Sequence, residues 1–425
     1  MRRFLIKTGK FIVCQGIACS MLCTADLQAQ QAFVNTPGME KELRKYPKEI
    51  QLTKDDKGHM INESQCFSKD GSWIVYDTRN METTIPANPE IAMVHTSTRK
   101  IKSLYKTDVQ SEFGPGVGAV TFSPVVNKAI FIHGLRNCNE SNPYTFSRRT
   151  GVAVSIDRPG VIEYMDARDV IPPFTPGALR GGTHAHSWSA DGSWVSFTYN
   201  DDVIAKKALT DKNFKDLRVV GVMNDSRNVK VPHDENPENN HGLMFAAVVT
   251  EVTENPAWNT DQIDKAFDEG WIGTNGYIKP NGERQQRAIA FQGNVRNAQG
   301  KTLTEVFVVD LPNDITKSRP GCPIQGTENM RPCVPDGVKQ RRITFTTNGI
   351  QGPRFWLRTT PDGSQIGFLA TDEKGIIQVF VVSPNGGAIR QITFNKFSVE
   401  GPINFSPNGR QVAYIAGKRV CMTSL

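Results

Sequence analysis

Apolar and polar residues alternate with a period of two in short runs, and the runs are broken by Asp-Gly or Asn-Gly. Four of these breaks share one grammar: "CFSKDGSWIVYDTR" (66–79), "SWSADGSWVSFTYN" (187–200), "RTTPDGSQIGFLATD" (358–372) and "NFSPNGRQVAYIAG" (404–417). Asp-Gly and Asn-Gly accept the positive φ of a tight turn, and period-two runs on either side read as two antiparallel strands, so each stretch predicts a hairpin. "TFSPVVNKAIFIHG" (121–134) is a degenerate copy without the glycine. The last two turns lie 46 residues apart, about the length of one four-stranded propeller blade.

That period parses the chain into an all-β propeller of six blades. The first holds "SQCFSKDG", "WIVYDTR", "EIAMVHT" and "IKSLYKT", and the second "GAVTFSP", "KAIFIHG", "RTGVAVSI" and "VIEYMD". The third starts at His184 and runs through "WVSFTYN", "RVVGVMN" and "NVKVP". The fourth takes "LMFAAVVTEV", "RAIAFQG", "EVFVVDLP" and "RRITF", with "NTDQIDKAFDEGW" (259–271) as an inserted amphipathic helix. The fifth is "PRFWLRTTPDG", "QIGFLATD", "IIQVFVVSP" and "AIRQITF". The sixth offers three strands ending in "RVCMTSL". Its missing partner is expected from "KEIQLT" (48–53), which would close the ring and remove two exposed sheet edges.

The N-terminus changes the picture of where the chain works. "MRRFLIKTGK" is a basic region, "FIVCQGIACSMLC" a short apolar one, and Leu27-Gln28-Ala29 resembles a cleavage site, so residues 1–29 read as a signal peptide and the periplasm is the expected compartment. The rival is a lipoprotein signal through Cys19 or Cys23. Residues 30–47 read as a flexible leader and 48–425 as a single domain. No other apolar run approaches membrane-spanning length. Of the formal charge of +7, the leader's Arg2, Arg3, Lys7 and Lys10 against Asp26 supply +3. The remainder is a weak field without aromatic-interleaved basic runs, which argues against a nucleic-acid partner. Cys322 and Cys333 flank a Pro/Gly-rich loop within an insertion at 313–338 and are expected to form a disulfide in an oxidising compartment; Cys66 and Cys421 read as small core residues.

The Ser-Pro-Asp-Gly-type repeat with strands ending "RQIT" resembles the TolB-type β-propellers. "SWIVYD", "FIHG", "RRTGV", "FTPGALRGGTHAHSWSADGSWVSFTYND", "DEGWIG", "QRRITFT" and "GIIQVFVVSPNGGAIRQIT" resemble the bacterial YidR-like family more closely. The resemblance implies one further repeat beyond Leu425, so the alternative architecture is a seven-bladed ring shortened by one blade.

In a propeller the hairpin turns lie at one mouth, and the starts of innermost strands and ends of second strands lie at the other. Asp77, Arg79, His133, Asp166, Arg180, His184, His186, Asn200, Asp201 and Arg354 fall at or near those points and form the candidate ligand-binding mouth. His184 and His186, at i and i+2 on a strand, would share a divalent cation (Mn, Zn or Ca), with His133 and Asp166 or Asp201 completing the set. The rival reading is a pair of buried, hydrogen-bonded histidines. Arg148-Arg149 reads either as part of the same mouth or, as exposed arginine pairs more often do, as a solvated edge, and "NDD" (200–202) as a turn cap.

No nucleophile elbow, phosphate loop or H-E-x-x-H is present. The sequence therefore points to an exported, monomeric binding propeller presenting its mouth to an envelope protein, peptide or glycan. The alternative is a metal-dependent lyase or hydrolase for acidic saccharides, as a resemblance to oligogalacturonate lyases would imply.

Overall fold

The computed structural model describes residues 50–62, 64–350, 352 and 355–425. Asp55–Leu425 form one compact unit. Residues 50–54 fall outside that unit and carry no strand.

Why the repeated turns fold is visible in four near-identical hydrogen-bond sets. Ser68 Oγ donates to Asp70 Oδ1 (2.7 Å) and accepts from the Trp73 N–H (3.0 Å), while the Ser72 N–H donates to Asp70 (3.0 Å). Ser189, Asp191 and Trp194 repeat the pattern, as do Thr360, Asp362 and Gln365, and Ser406, Asn408 and Gln411. The following glycine takes the left-handed conformation each time, with φ between 68° and 73° at Gly71, Gly192, Gly363 and Gly409. The Ser68 hydroxyl and the Ser72 N–H hold the Asp70 carboxyl down to about 2. At Asp191 partial burial works against ionisation, yet the Ser189 and Ser193 hydrogen bonds and Arg287 bring it to about 2 as well.

Each turn launches an antiparallel sheet, and six sheets of three or four strands follow one another among the described residues. The first comprises Trp73–Asp77, Glu90–His95 and Ile101–Lys106, with Phe67 bridged to Ile74 at its inner edge. The second is Val117–Phe122, Lys128–Gly134, Arg149–Ser155 and Ile162–Tyr164; the third is Gly181–Trp188, Trp194–Asp201, Val219–Asn224 and Phe245–Val248. Ala266–Trp271, Ala288–Arg296, Thr302–Asp310 and Lys339–Arg342 make the fourth. The fifth is Arg358–Thr359, Ile366–Thr371, Ile377–Val382 and Arg390–Gln391, and the sixth Asn404–Phe405, Gln411–Ala416 and Arg419–Ser424. Apolar side chains fill the space between consecutive sheets. Val75 and Met93 meet Phe122 and Phe131 between the first two, Ile130 meets Phe197 next, and Val220 meets Phe291 after that. Ala290 meets Phe368, and Val381 meets Val412, further along. This is a propeller-like, all-β arrangement in which each sheet packs face to face on its neighbours.

Three expectations need correcting. Residues 259–271 do not form a helix: Ala266–Trp271 is the innermost strand of the fourth sheet, paired with Ala288–Arg296. Ile263, Phe267 and Trp271 recur every four residues, which mimics a helix period, but a bulge at Asp268 (φ 52°) lets a strand bury Phe267 instead. The third sheet's outer strand is Phe245–Val248, not residues 228–232, so "LMFAAVVTEV" closes one sheet rather than opening the next. The outer strand expected from 48–53 is not formed by residues 50–53, and 48–49 lie outside the described residues; Arg419–Ser424 is the last strand of a three-stranded sheet. One helix the sequence did not announce, Asp202–Ala208, follows the third sheet's second strand, and Asp201 caps it by accepting from the Ile204 N–H (3.0 Å). No helix among the described residues is long and apolar enough to cross a membrane.

Candidate functional site

The innermost strands do not run straight. Ala119 (φ 54°) and Ala185 (φ 56°) sit in the left-handed region, and at each the pairing slips, between Gly118 and Thr121 in the second sheet and between His184 and Ser187 in the third. An alanine in that region is strained, and such bulges re-aim the side chains around them. Both alanines line a cavity of about 820 Å³. Met60, Ile61 and Asn62 form part of its wall, Arg79, Tyr144, Phe146, Arg149 and His184 another part, and Trp356 of the fifth sheet's approach a third. The cavity thus gathers residues in or beside the first, second, third and fifth sheets.

The bulge also decides the fate of the two histidines. With Ala185 out of register, the two side chains meet different partners. His184 lines the cavity, and its Nδ1 is enclosed without a hydrogen-bond partner among the described residues. Burial, then the Arg149 and Arg218 charges, hold its imidazole well below the ordinary histidine range. His186 is fully buried instead, with Nε2 against Thr183 Oγ1 (2.9 Å) and its backbone carbonyl accepting from Thr121. Burial drops it to about 3. Asp166 lies beside it, accepting from the Thr150 hydroxyl (2.8 Å), the Gly151 N–H (2.6 Å) and the Thr183 hydroxyl (3.2 Å). Burial outweighs those bonds and raises Asp166 to about 6.

The other expected mouth residues are mostly committed to the fold. Asp77 is buried and grips Arg79 with both oxygens (2.6 and 2.8 Å) while accepting from the Ala119 N–H (2.9 Å), so Arg79 reaches the cavity already neutralised. His133 bonds Tyr105 through Nε2 (2.9 Å) and the Gly134 carbonyl through Nδ1 (2.5 Å); burial lowers it to about 4. Arg180 is wholly buried, paired with Asp201 through Nε (3.0 Å) and NH2 (2.8 Å), stacked on Phe174, and donating to the carbonyls of Thr327 and Met330. Those carbonyls belong to the 313–338 insertion, where Cys322 and Cys333 are disulfide-bonded. Arg180 and Asp201 are therefore a clamp on that loop, not arms for a ligand. Asn200 bridges Asp216 (2.9 Å) and Arg218 (3.1 Å). Arg354 lies outside the described residues. No group of three or more His, Cys, Asp or Glu side chains placed to hold a metal occurs among the described residues.

The sequence leaves the place of Arg148-Arg149 open, and its reading does not find the aromatic wall of Tyr144 and Phe146 beside them. Arg148 and Arg149 are not a solvated edge: both are buried, Arg148 against Glu238 (2.8 Å) and Arg149 against the Tyr144 hydroxyl (3.0 Å) and the Phe146 ring. Phe146 is 60% exposed and carries the guanidinium groups of Arg149 and Arg218 about its ring (5.0 and 5.1 Å). The signal was "YTFSRRTG", an aromatic-basic cluster that runs from a loop into the strand Arg149–Ser155.

A family described as "Protein of unknown function (DUF3748)" matches residues 116–239, the stretch carrying most of this wall. Over 379 residues the chain is 34% identical to the "Uncharacterized protein YidR" of Escherichia coli (strain K12), covering 87% of this chain and 85% of that protein. The chain belongs to the YidR family. Among solved structures, an oligogalacturonate lyase of Vibrio parahaemolyticus is 12% identical with a TM-score of 0.44, covering 88% of this chain and 92% of its own. TolB of Acinetobacter baumannii is 14% identical with a TM-score of 0.35, covering 80% and 60%. Function in this YidR-family chain is therefore read from the cavity itself.

Proposed function

We propose that the chain is an exported binding module whose ligand seats in the mouth cavity. The observation that carries this reading is the cavity of about 820 Å³, walled by Met60, Ile61, Ile85, Tyr144, Phe146 and Trp356 with a few convergent polar groups. That combination of apolar wall and sparse polar contacts is how small-molecule sites and seats for the end of a peptide or glycan are built. The strained alanines at 119 and 185 fit the same reading, since backbone strain is retained where it shapes a site. The periplasm is the compartment proposed from residues 1–29.

A metal-dependent lyase or hydrolase is the weaker reading. His133 has both ring nitrogens occupied, Asp201 is tied to Arg180 and a helix N-terminus, and His186 is turned into the Thr183–Asp166 network. The donor set available to a cation is thus poorer than the sequence spacing promised.

Thr83 is exposed at the cavity wall, so Thr83→Trp fills space there without disturbing the core. Compounds from a ligand-observed NMR screen that bind the wild-type chain are expected to lose at least about tenfold in affinity to this variant, with its melting temperature unchanged. Equal binding by the variant would place the ligand elsewhere and end the mouth reading.

A further inference from the structure

Arg149 poses a problem that the fold leaves unsolved. Its side chain is 1% exposed, yet among the described residues no carboxylate pairs with it. Its partners are the Tyr144 hydroxyl through NH1 (3.0 Å) and the faces of Phe146 and Tyr144 (5.0 and 5.9 Å), and its Nε is enclosed with no acceptor. A buried charge left this way is costly, and folds ordinarily supply a counter-charge. The contrast with the other arginines nearby is sharp. Arg79 has Asp77, Arg148 has Glu238, Arg168 has Asp202 and Glu238, and Arg180 has Asp201. Only Arg149 of this group lines the large cavity without an acid beside it. Glu82 also lines the cavity, but it is exposed and makes no ion pair with Arg149.

We propose that Arg149 is the anchor for a carboxylate of the ligand, held by the guanidinium with the ligand's ring or apolar body against Phe146 and Trp356. This deepens the reading of the mouth as the binding site and rests on it. A guanidinium fork matches a carboxylate in two parallel hydrogen bonds, and low local polarity strengthens them. The enclosed His184 Nδ1 adds a polar atom on the same wall. Cation–π contact with Phe146 and Tyr144 holds the guanidinium ready, so little ordering is left for binding to supply. A free uronic acid and the C-terminal carboxylate of a peptide share this chemistry.

The test is isothermal titration of the full chain with two acids, D-glucuronate and N-acetyl-L-phenylalanine, and with the uncharged amide of each. Wild type is expected to bind at least one acid about tenfold or more tightly than its amide, the factor set by one charge-assisted bidentate contact. Which acid wins tells the saccharide source from the peptide source. Arg149→Met, which keeps the side-chain bulk, is expected to erase the acid preference, and Arg149→Lys to retain part of it. Equal binding of acid and amide by wild type, lost in Thr83→Trp, overturns the carboxylate assignment and leaves the mouth reading intact. An acid preference that survives both Arg149→Met and Thr83→Trp overturns both. Absence of binding by either acid also overturns the carboxylate assignment. The acid-against-amide comparison on wild type decides the matter even if an Arg149 variant fails to fold.

Discussion

Arg180→Met is expected to destabilise the chain by about 3–5 kcal/mol, the usual cost of removing one partner from a buried ion pair. Asp201, 1% exposed, would be left buried without the guanidinium that pairs with it. The same change strips the Arg180 donors from the Thr327 and Met330 carbonyls, so the disulfide-bonded insertion loses two of the hydrogen bonds that hold it to the third sheet. Chemical denaturation of wild type and variant measures the difference, and a loss below about 1 kcal/mol would mean that the clamp is not structural. In the folded fraction, ligand affinity at the mouth is expected to stay unchanged, because Arg180 is spent on Asp201 and the loop. A histidine-to-arginine ligand arc across 180–186, attractive in the sequence, is thereby separated into two roles.

Acid should unfold this chain earlier than its acidic groups alone would suggest. His133 and His186 titrate at about 4 and about 3 in the fold, both pushed down chiefly by burial from an ordinary 6.5. Below pH 6.5 the unfolded chain takes up these two protons and the folded chain refuses them, so stability is lost as pH falls towards 4. Asp166, raised to about 6 by burial, acts in the opposite sense: between pH 6 and 3.8 the folded carboxyl binds a proton that the unfolded one does not. Each group contributes about 1.4 kcal/mol per pH unit across its window, so two imidazoles against one carboxyl leave a net loss of about 3 kcal/mol between pH 6.5 and 4.5. His184, also held low, adds to the loss. Urea midpoints at pH 7 and pH 4.5 measure it. Asp166→Asn removes the opposing group and is expected to steepen the fall, whereas equal midpoints for wild type at the two pH values would refute the assignment of these imidazoles as buried and neutral.

How much of this was legible follows from the range of the interactions involved. The Ser-x-Asp-Gly turns could be read because each is complete within a few residues: hydroxyl, carboxylate, backbone N–H and glycine all act locally. The sheets came with them, since an alternating strand on each side of a turn fixes the pairing. The strand Ala266–Trp271 was misread because the spacing of Ile263, Phe267 and Trp271 fits a helix, and only the neighbouring sheets decide otherwise. The cavity was half visible. His184 and Arg79 were found from their places at strand ends, but nothing in "GGTHAHS" reports that Ala185 adopts φ 56° and sends the two histidines to different environments. Nor does "FSRRTG" reveal that one arginine meets Glu238 while its neighbour, on the cavity wall, forms no ion pair among the described residues. Charge balance of that kind depends on residues ninety positions away, and sequence spacing carries no trace of it.

The mouth reading is tested most directly by methyl NMR of the methionines with a bound carboxylate present. Met60 lines the cavity, whereas Met422 lies exposed on the outer strand of the sixth sheet. The Met60 resonance is expected to shift in proportion to ligand occupancy while Met422 stays fixed. A shift at Met422, with Met60 unmoved at saturation, would contradict the account.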